Sequence, residues 1–271
     1  MAKPDTRSPL VPHPILRVTF FLVLYLSALL AVSLLDLSLY TRFTAIFIAT
    51  IILVIVFRGL VDRRTFTSLG WHWKGNERHF YTGVALAIAM LGGGTLILAA
   101  LGEIEWMDYQ FNGIDLALAI GLMVMVAISE ELVFRGYILT NLLENMKPFL
   151  SLLVSAIVFA IFHSGNPGSN WLTTLNIFLS GILLGLNFIY TRNLWFGIAF
   201  HFAWNFLQGP ILGYEVSGLE LNSMLIHTSS ANQLLTGGNF GFEGSLINTL
   251  LSSIALVTLG TVYHFQKPSN K

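Results

Sequence analysis

Residues 115–144 read DLALAIGLMVMVAISEELVFRGYILTNLLE, an apolar stretch that is interrupted by the adjacent acids Glu130 and Glu131 and by Arg135. About 20 consecutive apolar residues are enough to cross the hydrocarbon core of a bilayer as a helix. An ionisable group at the centre of such a helix costs about 2.5–3.5 kcal/mol on insertion scales. The stretch therefore predicts a membrane helix whose charged residues serve a purpose.

The composition of the whole chain also indicates a membrane protein. Of its 271 residues, 55% are hydrophobic and 10% are charged, whereas soluble domains carry about 25% charged residues. Basic and acidic residues balance at 14 each, so the net charge gives no reason to expect a nucleic-acid partner. The absence of cysteine excludes disulfides, Cys-ligated zinc and a thiol nucleophile. The expected partner of most of the surface is the lipid bilayer.

About eight segments are apolar enough to cross a membrane. They lie at approximately 15–35, 43–60, 81–101, 115–144, 149–163, 171–190, 194–213 and 245–263. Unpaired backbone groups are costly in hydrocarbon, so we expect helices throughout and an all-α, polytopic membrane bundle. The fifth segment is short and the seventh contains polar side chains, which makes these two the weakest candidates.

Basic residues are distributed unevenly between the two sides of this arrangement. Thirteen of the 14 Lys and Arg residues fall toward the side of the termini and the even-numbered connections, and Arg42 falls on the other side. Because cytoplasmic loops carry an excess of positive charge, we expect both termini in the cytoplasm and the protein in a bacterial plasma membrane. We divide the chain into helices 1–3 (1–114), a core of helices 4–7 (115–213), and an outer loop with the last helix (214–271). The glycine-rich part of that loop, about 214–244, predicts flexibility.

The acidic pair in the fourth segment has helical spacing with an arginine. Glu131 and Arg135 are four residues apart, so they share a helix face and can neutralise each other. Arg135 cannot act as a proton donor at ordinary pH, which favours a structural role for this pair. Glu130 points about 100° away from Glu131 and lacks that partner.

Polar residues on two further helices fall at a similar depth. Glu130 and His163 each lie 15 residues from the connection 145–148, which is about 22 Å along a helix. His201 and Asn205 are four residues apart, so they share a face of the seventh segment. A lone buried histidine is more often a hydrogen-bonded packing residue than a catalyst. Convergence of three helices at one depth instead favours a site.

These side chains suit hydrolysis of an amide, which needs an activated water, a proton carrier and stabilisation of the oxyanion. Glu130 can act as the general base and His163 can polarise the water. His201 and Asn205 can donate hydrogen bonds to the tetrahedral oxygen. No Ser-His-Asp or Ser-Lys arrangement is visible in the sequence.

Three motifs occur in order: Glu-Glu-x-x-x-Arg at 130–135, Phe-x-x-x-His at 159–163 and His-x-x-x-Asn at 201–205. Together they resemble the CPBP family of intramembrane proteases, which includes the CAAX prenyl endopeptidases of the Rce1 type, the Abi proteins and lysostaphin resistance protein A. The resemblance implies a catalytic water, an oxyanion hole and a supporting ion pair. The residues expected in these roles are, in turn, Glu130 with His163, His201 with Asn205, and Glu131 with Arg135.

The resemblance leaves the question of a metal open. Family members are commonly described as metalloproteases, and Glu130, His163 and His201 could supply a carboxylate and two imidazoles to zinc. A metal-free, glutamate-based mechanism fits the same residues. The His-Glu-x-x-His pattern of zinc proteases is absent from the sequence.

Two other functions remain open on the sequence. Intramembrane carboxylates and histidines also mark ion paths, so an ion-coupled transporter is one alternative. Transporters often show paired inverted repeats, and this sequence shows no internal repeat. The second alternative is a non-catalytic membrane partner, such as an immunity or assembly factor. For the protease, the expected partner is a membrane-associated peptide or protein, whose identity and prenylation the sequence does not define.

Overall fold

The computed structural model describes residues 8–265, and eight long helices occur in that range at the eight predicted positions. Three of them, α2, α4 and α7, continue directly into π-helical turns at Phe57–Val61, Leu132–Leu139 and Leu207–Ile211. The helices are α1 (Pro14–Ser33), α2 (Leu39–Val56), α3 (Glu77–Ala100), α4 (Gly113–Glu131), α5 (Pro148–His163), α6 (Trp171–Thr191), α7 (Trp195–Phe206) and α8 (Leu246–Phe265).

Six of these helices are long and apolar enough to cross a membrane: α1, α2, α3, α4, α6 and α8. Helix α5 has 16 residues and is shorter than a typical span. The all-α membrane bundle is therefore confirmed. Of the eight predicted spans, six are long and apolar enough to cross a membrane. The orientation stays a prediction, and four of the basic residues on which it depends lie outside the described residues: Lys3, Arg7, Lys267 and Lys271.

Helix α7 lies in the interior of the bundle, where it contacts α3, α4 and α6. Close approach to α3 requires Gly83, since a Cβ atom there would lie 2.4 Å from the carbonyl oxygen of Phe196. Gly181 on α6 similarly faces Ala156 on α5, at 2.9 Å from a built Cβ. Small residues allow membrane helices to pack closely, and here they bring α3 against α7 and α6 against α5.

The glycine-rich outer segment differs from the flexible loop that the sequence predicts. Strand β2 (Leu225–Ser229) pairs antiparallel with β1 (Ile104–Tyr109), which links this segment to the α3–α4 connection. Gly241 has φ +89, and a Cβ atom there would lie 1.9 Å from the carbonyl oxygen of Glu215. The glycines thus permit tight turns in a folded segment. The division of the chain at 114 and 213 stays an interpretation.

A buried polar cluster joins α1 to the segments that directly follow α2 and α4. The Asp62 carboxylate accepts hydrogen bonds from Arg58 (2.8 Å), the Tyr137 hydroxyl (3.1 Å) and the Asn141 amide (3.2 Å). The Arg17 guanidinium lies 3.3 Å from the same carboxylate and also pairs with Glu144. Asp62 is fully buried, so its charge depends on these partners.

We predict that Asp62→Ala lowers the free energy of unfolding by about 3–5 kcal/mol, because it leaves buried guanidinium groups without their partner. The measurement is an SDS titration in mixed micelles. Asp36→Ala removes an exposed carboxylate and is the matched control, which we expect to unfold like the wild type. Equal stability of the two variants would contradict a structural role for the cluster.

Candidate active site

The Glu130 carboxylate lies between two imidazoles that come from different helices. Its Oε2 atom is 3.5 Å from Nε2 of His163 and 3.8 Å from Nε2 of His201. Helices α4, α5 and α7 each contribute one of these side chains. The side chains of Glu130, His163 and His201 are 22%, 14% and 11% exposed, so all three retain access to a cavity. The predicted convergence of the three helices is confirmed.

Hydrogen bonds on the far side of each ring orient the imidazoles. Nδ1 of His163 lies 2.9 Å from the carbonyl oxygen of Phe159, and Nδ1 of His201 lies 3.2 Å from Oε1 of Glu131. Both partners are acceptors, so each Nδ1 carries the hydrogen and each Nε2 points toward Glu130. Within the described residues, Oε2 of Glu130 is buried without a hydrogen-bond partner. Buried oxygen atoms are seldom left in this state, which indicates that a hydrogen donor such as water binds here.

The predicted ion pair lies directly behind this site. Nη1 of Arg135 donates to Oε1 of Glu131 at 2.7 Å, and both side chains are about 1% exposed. The guanidinium also lies 4.4 Å from the centre of the Phe159 ring. Because Oε1 of Glu131 contacts both Arg135 and His201, the pair fixes one catalytic candidate in position. Gly197 provides the space, since a Cβ atom there would lie 2.5 Å from Oε2 of Glu131.

Asn205 lies one helical turn beyond His201 on α7, so the two side chains share a face as predicted. It is 5% exposed and lines two adjoining spaces, a large cavity and a small chamber. Within residues 8–265, the side-chain amide of Asn205 takes part in no hydrogen bond. The amide is therefore available to a bound group.

The large cavity has a volume of about 480 Å³ and reaches from the Glu130 carboxylate to the first two helices. Most of its lining is apolar. Sequence reasoning did not assign α1 or α2 to the site. Arg42, at the start of α2, also lines it. The apolar lining residues of α1, α2 and α4 are Leu29, Leu39, Phe43, Ile46, Met123 and Val126.

The small chamber has a volume of about 30 Å³, which is enough for one water molecule. His163, His201 and Asn205 line it together with Ser217 and Glu243 of the outer segment. Sequence reasoning missed both outer residues. They lie in an irregular segment without periodicity, and no local spacing connects them to the motifs.

Glu243 is held by a tight turn at 216–219. Its Oε2 atom accepts hydrogen bonds from the backbone N–H (3.0 Å) and the hydroxyl (2.6 Å) of Ser217. Ser217 and Gly218 both have positive φ, at +49 and +82, and Val216 and Leu219 close the turn with two backbone hydrogen bonds. Glu243 is 8% exposed, and burial raises the pKa of its carboxyl group.

The arrangement does not form a metal-binding set. Among residues 8–265, no group of three His, Cys, Asp or Glu side chains is placed to hold an ion. The two free Nε2 atoms have the orientation that metal-binding histidines show, but Glu130, His163 and His201 do not fit a zinc site as placed. Zinc stays one of the two alternatives that the sequence left open, and no step of the mechanism below uses it.

Residues 112–207 match a family model described as type II CAAX prenyl endopeptidase Rce1-like. The match covers all three motifs, from the acidic pair on α4 to Asn205 on α7. It confirms the resemblance to the CPBP/Rce1-type family and supports a CAAX/CPBP-type intramembrane endopeptidase. The apolar helices agree with an integral membrane protein. No curated protein matches the chain.

We predict that Arg135→Ala mainly destabilises the protein, by about 3–5 kcal/mol, because it leaves Glu131 buried without its partner. Thermal unfolding in detergent is the measurement, and Arg78→Ala, at an exposed position, is the control. An Arg135→Ala protein with wild-type stability and no activity would contradict a supporting role, since it would place the guanidinium in the chemistry.

Proposed function

We propose that the protein hydrolyses a peptide bond in a membrane-associated or lipidated peptide, as an endopeptidase of the CAAX protease/Abi type. The observation that carries this proposal is the Glu130 carboxylate, whose Oε2 atom faces Nε2 of both His163 and His201 at the end of a cavity. We propose a bacterial plasma membrane as the location.

The first step is activation of water. A water molecule within hydrogen-bond distance of Glu130 Oε2 and His163 Nε2 can donate one hydrogen to each, because both atoms are acceptors. Its oxygen lone pair then points away from them, toward a substrate carbonyl carbon. As the oxygen attacks, Glu130 takes the proton and acts as general base. Phe159 keeps the His163 ring in the required orientation through the bond to Nδ1.

The second step is stabilisation of the tetrahedral intermediate. The substrate carbonyl oxygen enters the small chamber, where the Asn205 amide donates a hydrogen bond. His201 is the second group proposed to stabilise this oxygen, and the hydrogen bond between its Nδ1 and Glu131 holds the ring in place. The carbon–nitrogen bond then breaks, and Glu130 returns its proton to the leaving amine.

The cavity supports an apolar substrate. Apolar side chains of α1, α2 and α4 line it, and a volume of about 480 Å³ is in the range of sites that bind small molecules. A lipid group or an apolar peptide segment can lie there while the peptide bond reaches Glu130.

Natural substrates can be identified by comparative proteomics of two membrane samples, one with active protein and one with the Glu130→Gln variant.

We predict that Glu130→Gln and His163→Ala each lower kcat by at least about 10²-fold while the protein still folds, since each removes a group that activates water. The measurement uses purified protein in lipid vesicles with two fluorogenic peptides, one with a farnesylated cysteine and one apolar and unmodified. Glu105→Gln, an exposed position, is the control. Equal turnover by Glu130→Gln would refute the proposed Glu130-dependent mechanism, and binding without cleavage by the wild type would favour the non-catalytic partner.

We predict that the enzyme stays fully active after treatment with a chelator and contains no stoichiometric zinc, because four side chains supply every step above. Elemental analysis of active protein measures its zinc content. Activity is measured before and after dialysis against the chelator. Loss of activity that returns on addition of Zn²⁺ would show that the metal-free mechanism is wrong.

A further inference from the structure

A second buried carboxyl group faces the place where the substrate oxygen is expected. Glu243 lies outside the segment that the family model matches, in the short turn before α8. It nevertheless lines the same chamber of about 30 Å³ as His201 and Asn205. The mechanism above leaves this group without a role.

The two oxygen atoms of Glu243 have different surroundings. Oε2 accepts both hydrogen bonds from Ser217. Within residues 8–265, Oε1 takes part in no hydrogen bond of the site, although the side chain is more than nine-tenths buried. One oxygen is therefore anchored to the turn, and the other has no hydrogen-bond partner among the described residues, in a side chain that lines the chamber.

We propose that Glu243 is a third hydrogen-bond donor to the substrate carbonyl oxygen, beside His201 and Asn205. Its Oε1–H group donates to the oxygen as negative charge develops there, and no bond to Glu243 forms or breaks. This inference rests on the proposed peptidase function, because it assigns the chamber to the substrate oxygen.

The chemistry of the chamber requires the neutral acid. An ionised carboxylate at this position would repel the oxyanion, whereas a protonated one supplies a hydrogen bond to it. Burial favours the neutral form of a carboxyl group, and the direction of the shift at Glu243 agrees. The donors of Ser217 occupy one oxygen only, which leaves the other free to carry the proton.

Two substitutions separate this role from others. Glu243→Gln keeps an oxygen that accepts from Ser217 and places an NH₂ donor in the chamber, so it imitates the neutral acid. Glu243→Met has a similar size but has neither group. Wild type and both variants are assayed in vesicles with the farnesylated fluorogenic peptide, with separate kcat and KM values and a thermal unfolding curve for each.

We expect Glu243→Gln to keep kcat within about threefold of the wild type. Glu243→Met should lose about 10²-fold in kcat at a nearly constant KM, as removal of an oxyanion donor does. Loss of kcat in both variants would overturn the proposal, because it would show that the ionised form is needed. Unchanged kcat in Glu243→Met, or losses that follow the unfolding temperature, would also overturn it.

The outcomes distinguish this inference from the proposed function. A wild type that cleaves the peptide, depends on Glu130 and tolerates Glu243→Met would leave the peptidase intact and refute the role of Glu243. A wild type that cleaves neither the farnesylated nor the unmodified peptide would refute both.

Discussion

The buried ion pair between Glu131 and Arg135 is the contact on which the site depends. A carboxylate and a guanidinium within an apolar bundle are stable only as partners. Here the Glu131 carboxylate also accepts a hydrogen bond from Nδ1 of His201. One charged pair thus fixes the packing of α4 and the direction of an imidazole on α7. Glu130, the residue before Glu131 on the helix, is turned away from the pair and toward the cavity. The acidic doublet therefore separates a structural carboxylate from a reactive one.

Sequence reasoning predicted the parts of the site that follow from helical geometry. The pairing of Glu131 with Arg135 and the shared face of His201 and Asn205 both follow from a spacing of four residues. The convergence of Glu130 with His163 follows from their equal distance to a short connection. Each inference needed only the rise and rotation of an α-helix, and in each case the placement is confirmed. The chemical roles of these residues stay proposals.

The remaining features depend on contacts that are distant in the chain. Glu243 reaches the chamber because Ser217, 26 residues earlier, adopts a positive φ in a tight turn. The outer segment is folded because β2 pairs with a strand more than 100 residues away and because Gly241 allows a close backbone contact. None of these contacts has a periodic signature. The glycines that suggested flexibility instead permit the turns that close the site.

The central claim is that Glu130 meets two imidazoles from different helices inside the membrane bundle. The chain has no cysteine, so paired cysteines at 130 with 163, and at 130 with 201, can be cross-linked in membranes by a short bifunctional thiol reagent without background. The account predicts rapid cross-linking of both pairs and none between positions 105 and 163. Absence of cross-linking for both site pairs in folded protein would contradict it.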